Sequence, residues 1–254
     1  MLDYRPAPNL LADRCILITG ATGGLGRAAA LACARHGAQV ILVGRNVPKL
    51  ESLYDEIEAL GAPAPAILPL ELLQASDTLC HDIAKTVEEQ VGRLDGILHN
   101  AAELGALAPI ELYHAEIWTR VFQVNVHAPF LLTRALLPLL KRAPDASVVF
   151  TSAEVGRQPR AYWGAYAAAY GAVEVMARTL ALELDNTAVR INTLDPGNVQ
   201  TALRTRAYPA EDPQQWPLPE EVMPAYLYLL GPDSRGVTGQ ALAAQRLGPR
   251  PTAP

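Results

Sequence analysis

Lysine is scarce in this chain of 254 residues: Lys49, Lys85 and Lys141 are all it has. Cysteine is equally scarce. Cys15, Cys33 and Cys80 form an odd, widely spaced set, which excludes a disulfide framework and fits buried thiols in a reducing cytoplasm. No stretch approaches the ~20 consecutive apolar residues that a membrane span requires. Met1–Ala12 mixes charges with prolines, so no secretory leader is expected there. There is no excess of basic charge either. The formal net charge is −5 and the Lys and Arg residues are scattered, which argues against a nucleic-acid partner. The histidines at 36, 81, 99, 114 and 127 lack the spacing of metal ligands, so no metal is expected. Composition nowhere breaks and no segment repeats. Hydrophobic residues make up 50% of the chain, enough for one large core, so residues 1–254 are expected to form a single domain.

What is present is an alternation. Short apolar runs at Cys15–Thr19, Gln39–Val43, Ala66–Leu70, Gly96–His99, Ser147–Thr151 and Val189–Leu194 read as strands, and Gln240–Ala243 is a candidate seventh. Between them, Leu25–His36, Lys49–Leu60, Asp77–Val91, Tyr166–Leu184 and Glu220–Leu230 read as helices, and Ala115–Leu140 as one or two more. Strands separated by helices imply βαβ units. The pattern predicts an α/β fold with a doubly wound parallel sheet of about seven strands, a Rossmann fold that binds ligands at the carboxyl ends of its strands. Two connections are long, Ala153–Tyr166 and Asn198–Pro219. The second carries four prolines and follows the sixth strand, so residues 198–219 are read as a substrate lid.

The first strand runs straight into Thr19-Gly20-Ala21-Thr22-Gly23-Gly24-Leu25-Gly26, which opens the first helix. Glycines there let the backbone turn tightly and approach a pyrophosphate, whose charge suits a helix N-terminus. The second strand ends in Gly44-Arg45-Asn46, without the acid that would bind a ribose 2′-OH. Arg45 can pair with a 2′-phosphate instead, and the expected cofactor is NADP(H).

Several motifs at matching spacing together resemble the short-chain dehydrogenase/reductase family from about Leu10 to Leu247. They are Thr19-Gly20-x-x-x-Gly24-x-Gly26, His99-Asn100-Ala101-Ala102, Asn125 within Val124-Asn125-Val126, Pro196-Gly197 followed by Thr201, and Thr238-Gly239-Gln240. Val155-Gly156-Arg157-Gln158 and Gly164-Ala165-Tyr166 look closest to a bacterial branch of cytoplasmic oxidoreductases. The resemblance implies that Thr19, Gly20, Thr22, Gly24, Leu25 and Gly26 cradle the cofactor. It implies further contacts from Glu71, on the adenine side, and from Asn100, Ala101, Pro196, Gly197, Val199 and Thr201, the last meeting the carboxamide. It also implies hydride transfer between the nicotinamide and a small carbonyl or alcohol substrate.

In that family a tyrosine relays the proton, and a lysine one helical turn later lowers its pKa and continues the relay through a water and a helix asparagine. A serine holds the substrate oxygen. Tyr166 matches the tyrosine and Asn125 the asparagine. The lysine position holds Tyr170, which cannot supply a positive charge. The serine position aligns with Ala153. Ser152, the catalytic candidate beside it, is one residue early, and neighbours on an extended chain face opposite sides. It reaches the substrate only if the loop shifts. A missing hydrogen-bond donor costs roughly 10²–10³ in rate, and lost acid–base tuning roughly 10²–10⁴. Arg157 and Arg160 could tune Tyr166 from the loop, but arginine cannot relay a proton.

Two readings follow. One is an NADP(H)-dependent oxidoreductase with impaired or atypical activity. The other is a catalytically silent dinucleotide-binding protein, a sensor or scaffold subunit. In either case the apolar surface of the long helices predicts a homodimer or homotetramer.

Overall fold

A computed structural model describes residues 4–245. Met1, Leu2 and Asp3 of the N-terminal segment, and Leu247 at the end of the family resemblance, lie outside the described residues. The strands are β1 (Cys15–Thr19), β2 (Gln39–Gly44), β3 (Ala66–Pro69), β4 (Gly96–His99), β5 (Ala146–Thr151), β6 (Val189–Asp195) and β7 (Ala241–Ala243). They pair in parallel in the order β3-β2-β1-β4-β5-β6-β7. The helices are α1 (Gly24–Arg35), α2 (Val47–Ala59), α3 (Asp77–Gln90), α4 (Ala115–Phe122), α5 (Ala128–Arg142), α6 (Gly164–Glu183), α7 (Ala202–Ala207) and α8 (Met223–Leu230).

The alternation of side chains along each strand builds two cores. Ile16 and Ile18 of β1 pack with Val40 and Leu42 under α1, α2 and α8. Cys15 and Leu17 point the other way, with Ile41 and Val43, onto α3, α5 and α6. Residues apolar on both faces of a parallel sheet read as unbroken hydrophobic runs, and this made the strands easy to see in the sequence. All three cysteines are buried. Burial pushes the thiols of Cys15 and Cys33 up to about 12.

Residues 115–142 form two helices, one of the two arrangements expected, joined by a π-helical turn, Gln123–His127. Two further stretches differ in detail. Glu220–Leu230 divides into a 3₁₀ turn, Pro219–Val222, followed by α8, because Pro224 has no N–H and suits only a first turn. The segment 198–219 contains the short helix α7, capped by the Thr201 side chain.

The order in which strands are added to the sheet reverses at β1, which lies between β2 and β4. A crevice opens there beyond the carboxyl ends of the strands.

Candidate active site

Thr19 ends β1, and its Oγ1 accepts from the Asn100 N–H at 3.0 Å and the Ala101 N–H at 3.2 Å. This ties the ends of β1 and β4 together. Gly20 follows with φ +65°, and a Cβ there would sit 2.8 Å from the Ala101 Cα. A Cβ on Gly26 would collide with the Gly20 carbonyl oxygen. α1 starts at Gly24 with no side-chain cap. The turn is therefore a backbone cradle that requires glycine at positions 20 and 26, with a bare helix end suited to an anion.

The cleft above it has a volume of about 660 Å³. Every candidate from the sequence lines it except Thr19, Gly26 and Asn125, which stand behind its walls. At one end Arg45 is largely exposed and pairs with Glu71 at 3.3 Å. Such a solvated pair is weak and leaves the guanidinium free to exchange partners.

At the other end α6 presents Tyr166 and Tyr170, both buried and both lining the cleft. Their ring centroids are 4.6 Å apart. Burial, reinforced by the charge and hydrogen bonding of Tyr170, holds Tyr166 well above the ordinary phenol value of 10. Burial pushes Tyr170 up to about 12. Both phenols are protonated at neutral pH.

Ser152 is turned out of the reacting space. Its Oγ donates to Glu174 Oε1 at 2.5 Å, beneath α6. As the pleat requires, the neighbouring Ala153 packs instead with Tyr166 and Tyr170. Asn125 sits in the π turn, and both of its polar atoms meet the backbone of Glu103. Nδ2 donates to the carbonyl at 2.9 Å, and Oδ1 accepts from the N–H at 2.8 Å. The side chain thus clamps the loop after β4.

Neither loop arginine brings free charge to Tyr166. Arg157 donates to Glu174 at 2.5 Å and to Asp195 at 2.9 Å. Arg160 pairs with Glu154 and donates to the Tyr208 hydroxyl at 3.3 Å. Burial pushes the Asp195 carboxyl up, against the pull of the Gly197 N–H and Arg157.

The sequence pattern did not reveal Trp163, Leu203, Tyr208 and Trp216, which also line the cleft. Trp163, Tyr208 and Trp216 sit on irregular segments and Leu203 on the short helix α7, none with a readable periodicity, and their one signal was position within the two long connections. Arg204 organises the second connection. It bonds both oxygens of Glu211 at 2.6 Å and Asn198 at 2.7 Å, and stacks 4.0 Å from the Tyr208 ring centroid. Tyr208 in turn lies 5.7 Å from Trp163, on the opposite wall.

A family model described as short chain dehydrogenase matches residues 14–212. The oxidoreductase YciK of Escherichia coli (strain K12) is 46% identical over 244 residues, which cover 96% of each chain. A short chain dehydrogenase structure from Pseudomonas syringae is 51% identical, with a TM-score of 0.94, and covers 96% of this chain and 100% of its own. One from Escherichia coli CFT073, complexed with NADPH, is 47% identical, with a TM-score of 0.92, and covers 95% and 100%. With sheet order, cradle and tyrosine helix in agreement with these likenesses, the chain belongs to the short-chain dehydrogenase family.

Proposed function

We propose that the protein is an NADP(H)-dependent oxidoreductase of low or atypical activity, acting on a small carbonyl compound or its alcohol. One observation carries this reading: the Tyr166 phenol and the glycine cradle open into the same cleft. The cradle has space and N–H donors for a pyrophosphate at Gly20, Thr22, Gly24 and Leu25. Arg45 supplies the cation for a 2′-phosphate, and Glu71 must release it as the phosphate arrives. Asn100, Ala101, Pro196, Gly197, Val199 and Thr201 wall the remainder. The NADPH complex of the Escherichia coli CFT073 relative supports the same choice.

NADP(H), when bound, supplies or takes up the hydride. Tyr166 supplies the proton from its O–H to the substrate oxygen, and its raised pKa keeps that proton in place at every ordinary pH. Ala153 and Tyr170, in place of the family serine and lysine, leave the substrate oxygen without the serine donor and the phenol with no adjacent cation. The donor is present but poorly tuned, so turnover is slow. Residues 198–219 act as the lid, held in one piece by Arg204.

An NADPH titration followed by cofactor fluorescence, with NADH and Arg45→Ala as comparisons, tests the cofactor. Micromolar NADPH binding that weakens for both comparisons is expected. Consumption of NADPH with a panel of aldehydes and ketones, abolished by Tyr166→Phe, tests the chemistry.

The second reading, a silent dinucleotide-binding sensor or scaffold, rests on the commitment of Ser152 to Glu174 together with a phenol at position 170. NADPH binding with no turnover in any variant would favour it. Phe130, Val175 and Leu182 are exposed on α5 and α6, and support assembly as a homodimer or homotetramer. A gel-filtration mass of one 27.3 kDa chain would refute that assembly. The buried thiols suit a cytoplasmic location.

A further inference from the structure

We propose that the substrate is a compact, uncharged aldehyde or ketone, apolar apart from its single reacting oxygen and gripped by Trp163, Leu203 and Tyr208. This rests on the oxidoreductase reading of the same cleft.

The argument is an inventory of the polar groups at the Tyr166 end. A charged or multiply polar substrate would need partners there, because a polar group buried without one loses more than it gains. Each charged side chain lining that end is already paired within the protein. Glu154 holds Arg160. Glu103 accepts from the Gly105 N–H at 3.1 Å and lies 3.6 Å from Arg206. Arg204 is committed to Glu211 and Asn198. Asp195 is held by the Gly197 N–H at 2.8 Å and by Arg157. The Ser152 hydroxyl is spent on Glu174.

What remains is apolar. Leu104, Val155, Tyr166, Ala167 and Tyr170 form one cluster, against which Ala153, Trp163, Leu203 and Ala207 pack. Trp163 meets Tyr166 edge-on at 5.7 Å and Tyr208 at the same centroid distance. The methyl of Ala153 adds apolar surface where a hydroxyl would have offered a second donor. Beside the indole N–H groups of the tryptophan walls, the neutral phenols of Tyr166 and Tyr170, one turn apart, are left for the substrate, so this end can serve a reacting oxygen but offers no charge to balance a second, ionised group. With the lid resting on Trp163, the occupant must also be small. Flat aromatic walls favour a ring.

The test compares two probes that differ by one carboxylate, benzaldehyde and 4-formylbenzoate. Each is titrated by calorimetry into the full-length protein saturated with NADPH. Benzaldehyde is expected to bind roughly 10²-fold more tightly, the penalty for a buried carboxylate without a partner. Trp163→Ala should weaken benzaldehyde roughly tenfold by removing one aromatic wall, with NADPH affinity unchanged. Leu203→Arg places a free guanidinium at the wall and should shift the preference toward 4-formylbenzoate. Equal or tighter binding of 4-formylbenzoate by the native protein overturns the proposal, as does binding of neither aldehyde by the NADPH-saturated protein. A protein that takes up no NADPH overturns both this proposal and the reading beneath it, and the saturation step shows which has failed.

Discussion

Tyr166 and Tyr170, one turn apart on α6, face each other ring to ring at 4.6 Å. Tyr170 raises the Tyr166 pKa through its charge and hydrogen bond, while the bond from Tyr166 lowers that of Tyr170 without overcoming burial. Ionising either phenol places a charge beside a second buried phenol that has none to offset it. Among the described residues, the nearby charge that both tyrosines feel is the carboxylate of Asp195, which also opposes ionisation.

The pH dependence of reduction follows. Tyr166 stays protonated throughout the ordinary range, so the reduction rate should be flat from about pH 6 to about pH 9. Ala153→Ser/Tyr170→Lys should raise kcat/KM by roughly 10²-fold or more, and bring in a basic limb as the ammonium lowers the tyrosine pKa. A double variant with the native circular dichroism but no gain in rate would show that the site lacks more than these two groups.

The two tyrosines also set an alkaline limit to stability. Their folded pKa values lie above the unfolded value near 10. The stabilisation from keeping them neutral is complete below that value and is lost as pH rises beyond it. Urea midpoints should therefore fall above about pH 10, and Tyr170→Phe should blunt the fall.

Ser152 acts through Glu174, and its replacement should reveal this. Ser152→Ala removes one of two partners from a buried carboxylate, and is expected to cost about 1–3 kcal/mol of stability. NADPH affinity and any residual turnover measured below the melting transition should be unchanged. A selective fall in kcat with an unaltered Tm would make Ser152 catalytic after all.

His99 predicts sensitivity to acid. Burial lowers it to about 3, and its ring stacks on Phe150 at 4.7 Å while Nε2 meets Thr133 at 2.8 Å. The unfolded imidazole takes a proton near 6.5, so the unfolded state binds more protons between the two values. Stability from this group is full above about pH 6.5 and falls by up to about 1.4 kcal/mol for each pH unit below. Urea unfolding at several pH values should show that slope, and His99→Asn should flatten it.

Arg204→Ala should release the lid. The bidentate bond to Glu211 and the stack on Tyr208 are both lost. Tryptic cleavage at Arg206, which precedes Ala207 in the same segment, is expected to quicken roughly tenfold or more, with the Tm of the whole domain little changed. Unaltered cleavage would mean that the 3₁₀ turns hold the segment by themselves.

Sheet, helices and cradle were legible in the sequence because each leaves a local mark. A doubly buried strand is an uninterrupted apolar run, and the cradle is a set of glycines between a strand and a helix. Tyr166 was legible by its spacing from Gly156 and Gly164. The π turn was not, since the bonds its Asn125 makes run to a backbone 22 residues away. Nor were the walls at Trp163 and Tyr208, which meet through the tertiary path of two loops. The pairing of Ser152 with Glu174 was half legible: alternation showed which way the hydroxyl turns, but not what receives it.

The glycine turn, Arg45 and Asn100 come from the first half of the chain, while the second half supplies the cofactor walls at 196–201 and the proposed proton chemistry at residues 152–170. The two meet across β4 and β5 but share no side chain. The pyrophosphate grip of the glycine turn and the proposed proton chemistry are therefore separable traits, each open to drift without the other. A lineage can exchange the residues at 153 and 170 while every contact of the cradle stays under its own selection.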